Sequence, residues 1–287
     1  MNFIRCGLPG IAVVSTLAFV ACAMTAQASN EEPIMSDHKQ QVVELLKSIE
    51  TGEGKALACI NPGKYVQHNL AVGDGIAGLN VLFQSLPKGS AMVNTVRVFQ
   101  DGNFVFAHTE YNFFGPKVGF DIFRFEDGKI VEHWDNLQET AAKPSPSGHT
   151  MLDGPTTASD LDKTAANKAL MQIYMDDILQ GRRDKFASYF DGNNYIQHSP
   201  LVADNLTGLF AGLQALAKQG LAVKYERVHR VLGEGNFVLV VAEGSFGGRP
   251  SSYYDLFRIQ NGKIAEHWDT IEPIPPRAEW KNSIGKF

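Results

Sequence analysis

The chain has 287 residues, 44% of them hydrophobic and 20% charged, and carries a formal net charge of −5. That is enough apolar material to close more than one core, and the acidic balance provides no basic patch of the kind that attracts nucleic acid. No Walker loop occurs and no Gly-x-Gly-x-x-Gly follows a strand, so nucleotide chemistry is set aside.

Residues 1–28 read as an export signal: Arg5 supplies the positive start, residues 11–22 an apolar stretch, and Ala26-Gln27-Ala28 a small-x-small cleavage pattern. The apolar stretch is well short of the roughly 20 residues that span a bilayer, so no membrane insertion is expected once it is removed. The mature chain is then expected to start at Ser29 and to be periplasmic or secreted. Lipid attachment at Cys22 is the alternative, although Phe19-Val20-Ala21 matches a leucine-led lipobox poorly. Cleavage removes Cys6 and Cys22 and leaves Cys59 alone, so no internal disulfide can form. A lone thiol without a base is no nucleophile.

Residues 40–50 carry Val42, Val43, Leu45, Leu46 and Ile49 on one helical stripe, and Thr51-Gly52 ends it. A shorter helix is expected over 76–86. Four strand-like runs follow, 93–99, 104–113, 118–125 and 130–137, rich in β-branched and aromatic residues and separated by Asp-Gly or Gly-Pro signals. Residues 141–157, with three prolines and two glycines, form a linker. Helices are expected again over 167–179, stopped by Gly181, and over 206–217. The end of the chain, with Pro275-Pro276, has no periodicity, and either braces the first half or stays mobile.

The second half repeats the first. Residues 255–269 match 121–135 at ten of fifteen positions. Tyr65, Gln67 and His68 recur 130 residues on as Tyr195, Gln197 and His198, and Gly102-Asn103-Phe104-Val105 recurs 133 on. A constant order with a slowly growing offset marks a duplication with small insertions, each copy long enough for its own core. The expected organisation is a signal over 1–28, one domain over 29–140, a linker over 141–163, a second domain over 164–274 and a tail over 275–287. Duplication can fuse the halves of a dimer, so an intramolecular pseudo-dimer is expected. Helices followed by an antiparallel meander give an α+β class.

Asp127-Gly128, echoed by Asn261-Gly262, signals a two-residue type I′ hairpin. Strict alternation from that turn opposes Asp121 to Trp134 and groups Asp121, Phe123, Phe125, Ile130, Glu132 and Trp134 on one face, leaving Ile122, Arg124, Val131, His133 and Asp135 on the other. A carboxylate among aromatic rings on the helix-covered face is poorly solvated and can exchange protons near neutral pH. The alternative is an ordinary paired strand-end aspartate. A metal site in Glu132-His133-x-Asp135 is not expected, because alternation separates Glu132 from the other two.

Tyr-x-Gln-His after the first helix, the strand with His-x-Glu, and the Asp-x-Phe-Arg-x-x-x-Gly-Lys-Ile-x-Glu-His-Trp-Asp hairpin resemble the SnoaL-like branch of the nuclear transport factor 2 superfamily, in both copies. The resemblance implies cone-shaped domains, each a curved antiparallel sheet wrapped by about three helices around one deep apolar pocket. It implies cofactor-free chemistry too: members include polyketide cyclases that perform aldol condensations, and ketosteroid isomerase is a distant relative. Asp121 matches the family's acid/base aspartate, and Asp255 matches it equally. The cyclases place a histidine on the preceding strand, where this chain has His108, with Val241 at the equivalent position of the second copy.

The catalytic candidates are therefore Asp121 as base and His108 as the group that orients or polarises a carbonyl. The ligand-contact candidates are Tyr65, His68, Glu110, Phe123, Glu132 and Trp134 in the first copy, and Tyr195, His198, Glu243, Asp255, Phe257 and Trp268 in the second. For several of them a structural role stands beside the functional one. His68 and His198 fit pocket-mouth contacts or hydrogen-bonding anchors, Trp134 and Trp268 pocket wall or core, and Glu110 and Glu243 pocket polarity or ion pairs to Arg97 or Arg230. His133 and His267 are assigned to the sheet-to-sheet contact. The expected function is a cofactor-independent cyclase, isomerase or aldol-type lyase acting on a small apolar carbonyl compound; the alternative is a non-catalytic binder of a small hydrophobic ligand.

Overall fold

The computed structural model describes residues 37–52, 54–86 and 89–287. The segment expected to be an export signal, with Cys6, Cys22 and Ala26-Gln27-Ala28, lies outside the described residues.

The first copy runs α1 (Asp37–Thr51), β1 (Val66–Gln67), α2 (Gly75–Ser85), β2 (Met92–Asp101), β3 (Phe104–Asn112), β4 (Pro116–Glu126) and β5 (Lys129–Glu139). The second repeats it as α3 (Thr164–Leu179), β6 (Ile196–Gln197), α4 (Asn205–Lys218), β7 (Val223–Glu234), β8 (Phe237–Phe246), β9 (Arg249–Gln260) and β10 (Lys263–Pro273). Each sheet has five strands, ordered β1-β5-β4-β3-β2 and β6-β10-β9-β8-β7, antiparallel except for the short parallel strand at one edge. The expected cone, a curved sheet wrapped by about three helices, is not what forms. Each sheet is an open layer that ends on different strands, so no pair closes it, and two α-helices flank it. The third helical stretch is a short 3-10 turn in each copy, Gly54–Cys59 and Arg183–Tyr189. A Gly-x-Gly-x-x-Gly run does occur at 73–78, but it opens α2 six residues beyond β1 and serves packing: a Cβ on Gly78 would lie 1.9 Å from the Gly73 carbonyl oxygen.

Helix-facing side chains of each sheet pack on that copy's own helices. Val42, Leu45 and Leu46 of α1 meet Val105, Ala107, Tyr111, Phe123 and Phe125, and Met171, Tyr174 and Met175 of α3 meet Val238, Val240, Phe257 and Ile259. The opposite faces of the two sheets pack on each other through one shared core that includes Phe99, Phe106, Ile122, Trp134, Phe237, Leu239, Leu256 and Trp268. The two copies thus form an internal pseudo-dimer, and its polar contacts are reciprocal. Arg97 lies 4.4 Å over the Trp268 ring and Arg230 lies 3.9 Å over the Trp134 ring. Asp101 accepts from the Gly233 amide and Lys168, while Glu234 accepts from the Gln100 amide and Lys39. Near the symmetry axis Asn136 donates to the Thr270 carbonyl at 2.9 Å.

The linker and the tail play matching parts. The linker supplies the Thr150 carbonyl to His198 at 2.9 Å, and the tail supplies the Gly285 carbonyl to His68 at 3.0 Å. Of the two readings of the tail, bracing is the observed one: it packs on the first copy, with Lys281 donating to Leu70, Asn282 to Asn69 and Ser283 to Asp74.

The hairpin turns form as the sequence signals, with Asp127 and Gly128 at φ 51° and 73°, the type I′ conformation, and Asn261 and Gly262 alike. Beyond the turn the register departs from strict alternation. Phe125 opposes Ile130 but Arg124 opposes Glu132, so Val131 is an extra residue, a β-bulge repeated at Ala265. One inserted residue exchanges the two faces of the strand beyond it. Asp121 consequently opposes Asp135, and Trp134 opposes Ile122 on the sheet-to-sheet face.

Candidate functional site

The bulges decide which side chains meet the helices. Past Val131 it is His133 and Asp135, and past Ala265 it is His267 and Asp269, that join Asp121 and Asp255 on the helix-facing side.

In the second copy this face floors a cavity of about 630 Å³ between the sheet and α3, α4 and the 3-10 turn between α3 and β6. Its walls are mostly apolar and aromatic, among them Tyr174, Phe186, Leu213, Tyr225, Tyr253 and Phe257, while Gln197, Ser199, His267 and Asp269 bring polarity to the floor. Tyr195 lines it too. Asp255 lies just behind the wall and 1% exposed, accepting from the Tyr225 hydroxyl on both oxygens at 3.1 Å and meeting His267 Nε2 at 3.0 Å. His267 Nδ1 meets Gln197 Oε1 at 3.0 Å, and Gln197 donates in turn to the Tyr195 hydroxyl at 2.9 Å. Gln197 Oε1 is an acceptor only, so Nδ1 carries a proton and Nε2 shares another with Asp255. Burial opposes charge on the ring, but the hydrogen bond and the negative charge of Asp255, with Asp269 beyond, raise the His267 pKa. Asp269 keeps part of its surface on the cavity wall yet is enclosed by protein, and desolvation pushes its pKa up to about 6 against the opposing pull of His267 and the Ser199 hydroxyl.

The first copy builds the same floor differently. Asp121 accepts from the Tyr111 hydroxyl at 2.5 Å and meets His133 Nε2 at 3.1 Å, and His133 Nδ1 meets Gln67 Oε1 at 3.0 Å. Burial raises the Asp121 pKa, and the bonds from His133 and Tyr111 work against it. Tyr111 is fully inside the first core and packs across Gly119, where a Cβ would lie 3.3 Å from the Tyr111 ring. The equivalent positions in the second copy are Gly244 and Tyr253, so there the tyrosine comes from the neighbouring strand and stands in the cavity wall.

No protein-family model matches the chain, and no curated protein matches it. Solved structures do. An NTF2-like protein of unknown function from Burkholderia xenovorans is 22% identical over 43% of this chain and 99% of its own, with a TM-score of 0.33. A candidate SnoaL-like polyketide cyclase from Shewanella putrefaciens is 12% identical over 36% of this chain and 90% of its own, at 0.31. An NTF2-like protein of unknown function from Cytophaga hutchinsonii is 13% identical over 37% and 95%, at 0.32. The chain itself is a tandem of two copies of one α+β arrangement.

Several sequence-based site residues sit elsewhere. His108 is not a partner of Asp121: it lies on the other face of β3, stacked on Phe120 at 4.2 Å and 3.1 Å from Arg97. Burial and the Arg97 charge hold its pKa well below the imidazole range, so it is neutral. Glu110 and Glu243 share that face, the first bonded to Asn94 and the second paired with His229 at 3.3 Å. Trp134 and Trp268 are sheet-to-sheet core, not pocket wall. Glu132 sits with them, bridging Arg124 and His68, and Glu266 bridges Arg258 and His198 in the same way. His68 and His198 are anchors that stack on Trp134 and Trp268 at 4.7 and 4.5 Å. Tyr65 and Phe123 do lie on the helix-facing side with Asp121, and Phe257 lines the second cavity. His267 and Asp269, placed on the wrong face by strict alternation, are the residues that sequence reasoning missed. The only trace of them is the repeated Glu-His-Trp-Asp run itself.

Proposed function

We propose that the second copy is a small-molecule site that takes a largely apolar compound bearing a carbonyl, and that Asp269 exchanges a proton with it. The observation that carries this reading is a carboxyl on the wall of an aromatic cavity whose pKa stands at about 6. A general base is most effective when its pKa lies near the working pH. Tyr225, Asp255 and His267 form a hydrogen-bonded support behind it. The reaction class supported is proton abstraction beside a carbonyl, as in an isomerisation or an aldol-type step. This moves the chemistry from Asp121 and the first copy to Asp269 and the second.

The test uses cyclic ketones such as 2-tetralone as probes, with exchange of the α-hydrogens followed by NMR in heavy water and binding followed by ligand-observed NMR. Catalysed exchange should rise with pH through about 6, the pKa of Asp269. Asp269→Asn should slow exchange by roughly a hundredfold while binding persists, and Asp121→Asn should leave it unchanged. Binding without catalysed exchange would leave a passive carrier; exchange that survives Asp269→Asn would remove this residue from the chemistry.

A further inference from the structure

We propose that the first copy binds one divalent transition-metal cation between Asp121, His133 and Asp135. The bulge at Val131 creates the grouping. It sets Asp135 directly opposite Asp121 and His133 opposite Phe123, so all three side chains leave the sheet on the helix-facing side. One ligand atom from each lies within 4.8 Å of the others. Three ligands around a zinc-sized ion sit about 3.3–3.6 Å apart, so movements of roughly an ångström complete the shell.

The decisive observation is an oxygen without a hydrogen bond. Asp135 is 5% exposed; its Oδ2 accepts from Asn69 Nδ2 at 2.5 Å, but its Oδ1 accepts none. A buried carboxylate oxygen left bare carries a desolvation cost that a cation would offset. Its ion-pair partner, Lys286 Nζ, stands 3.9 Å away and is engaged by Glu272.

His133 is prepared for the same role. Gln67 Oε1 already accepts from the Asn69 amide at 2.9 Å and can only accept, so the His133 proton belongs on Nδ1. Nε2, 3.1 Å from Asp121 Oδ1, shares a proton with that carboxyl, and the Nδ1–H donated to an amide oxygen is the support that metal-bound histidines use. Binding exchanges the Nε2 proton for the metal. One imidazole and two carboxylates give two negative charges and a nitrogen–oxygen donor set suited to Zn²⁺ or a neighbouring divalent ion.

The second copy shows what closes such a site. There the Tyr225 hydroxyl spans both oxygens of Asp255, and Ser199 stands at the position of Asn69. Among the described residues, Asp255, His267 and Asp269 do not form a comparable group, whereas a separate one, His149, Asp153 and His198, joins the linker to the second copy and serves as the control.

The experiment titrates chelator-treated full-length protein with Zn²⁺ by calorimetry and with Co²⁺ by visible absorption. One equivalent is expected. Asp135→Asn and His133→Gln should each weaken it at least about tenfold, and His149→Gln should not change it. Lys286→Met, which removes the competing positive charge but no ligand, should tighten binding at least about fivefold. No stoichiometric binding, binding unchanged in Asp135→Asn and His133→Gln, or loss in His149→Gln alone would overturn the assignment. If those two variants do not fold, X-ray absorption of the zinc-loaded wild type decides: one imidazole with oxygen donors supports the site, and two imidazoles refute it.

Discussion

Arg97 is the most heavily committed polar side chain of the sheet-to-sheet contact, and replacing it by methionine isolates what its charge contributes. Its guanidinium is 1% exposed, donates to the carbonyls of Pro155 at 2.7 Å, Leu152 at 2.9 Å and Asp153 at 2.6 Å, and lies over the Trp268 ring. Burial lowers its pKa to about 10, so it remains charged at neutral pH. Methionine fills the stem but leaves the Pro155 and Leu152 carbonyls without this donor, while the Asp153 carbonyl keeps Trp268 Nε1 at 2.9 Å. At about 1–3 kcal/mol for each unsatisfied group, less what water recovers, the expected loss is about 2–4 kcal/mol. Arg230→Met, whose residue stacks on Trp134 from a half-buried position, should cost about 1 kcal/mol. Urea unfolding gives both values, and hydrogen exchange over residues 150–157 should rise in the Arg97 variant alone. A loss below about 1 kcal/mol, or an unchanged exchange pattern in the linker, would refute the view that Arg97 clamps the linker.

Asp269 is an acid whose folded pKa, about 6, lies above its unfolded value, so its stabilising contribution is complete below about pH 4 and lost as pH rises through 6. Asp269→Asn should therefore be more stable than wild type at pH 8, by about 1–3 kcal/mol, with the gain shrinking toward pH 4; a gain constant across that range in thermal melts would contradict the assignment. Phe287→Ala removes a ring stacked on His229 at 4.0 Å and should lower stability by about 1–2 kcal/mol in urea titration, against none if the tail merely rests on the surface. Leu213→Trp places bulk inside the second cavity and should abolish binding of the ketone probe without loss of thermal stability; undiminished binding would put the ligand elsewhere.

The duplication, the helices, the strands and both type I′ turns were legible because each rests on local signals: matched segments, 3.6-residue stripes, β-branched runs and Asp-Gly or Asn-Gly pairs. The faces of β5 and β10 were not. After the turn the run Val131-Glu132-His133-Trp134-Asp135 holds polar and aromatic residues at both parities, so hydrophobic alternation has nothing to choose between, and a single extra residue at Val131 reverses the outcome. Asp121 survives that error because β4 alternates cleanly, with Phe123 and Phe125 beside it in the first core. His108 departs from its expected place for a different reason: its distance from Asp121 along the chain fits a pocket pair, but on β3 it is Ala107 that opposes Asp121, so His108 takes the other face beside its cross-strand neighbour Arg97. The open layers, in place of a cone, follow from strand order, which no local signal carries. Nor does sequence reveal how each floor is covered, since that depends on whether the tyrosine stands on β3 or β9.

Carrying both sheets on one chain changes how the assembly answers to dilution. Two separate subunits joined by the same reciprocal contacts would come apart once their concentration fell below the dissociation constant. The tether instead holds each sheet at an effective concentration of about a millimolar or more around its mate, whatever the amount of protein present. It also releases the two halves from being identical: a substitution in one is no longer copied into the other, so one floor can keep Tyr111 over its aspartate while the other opens a cavity.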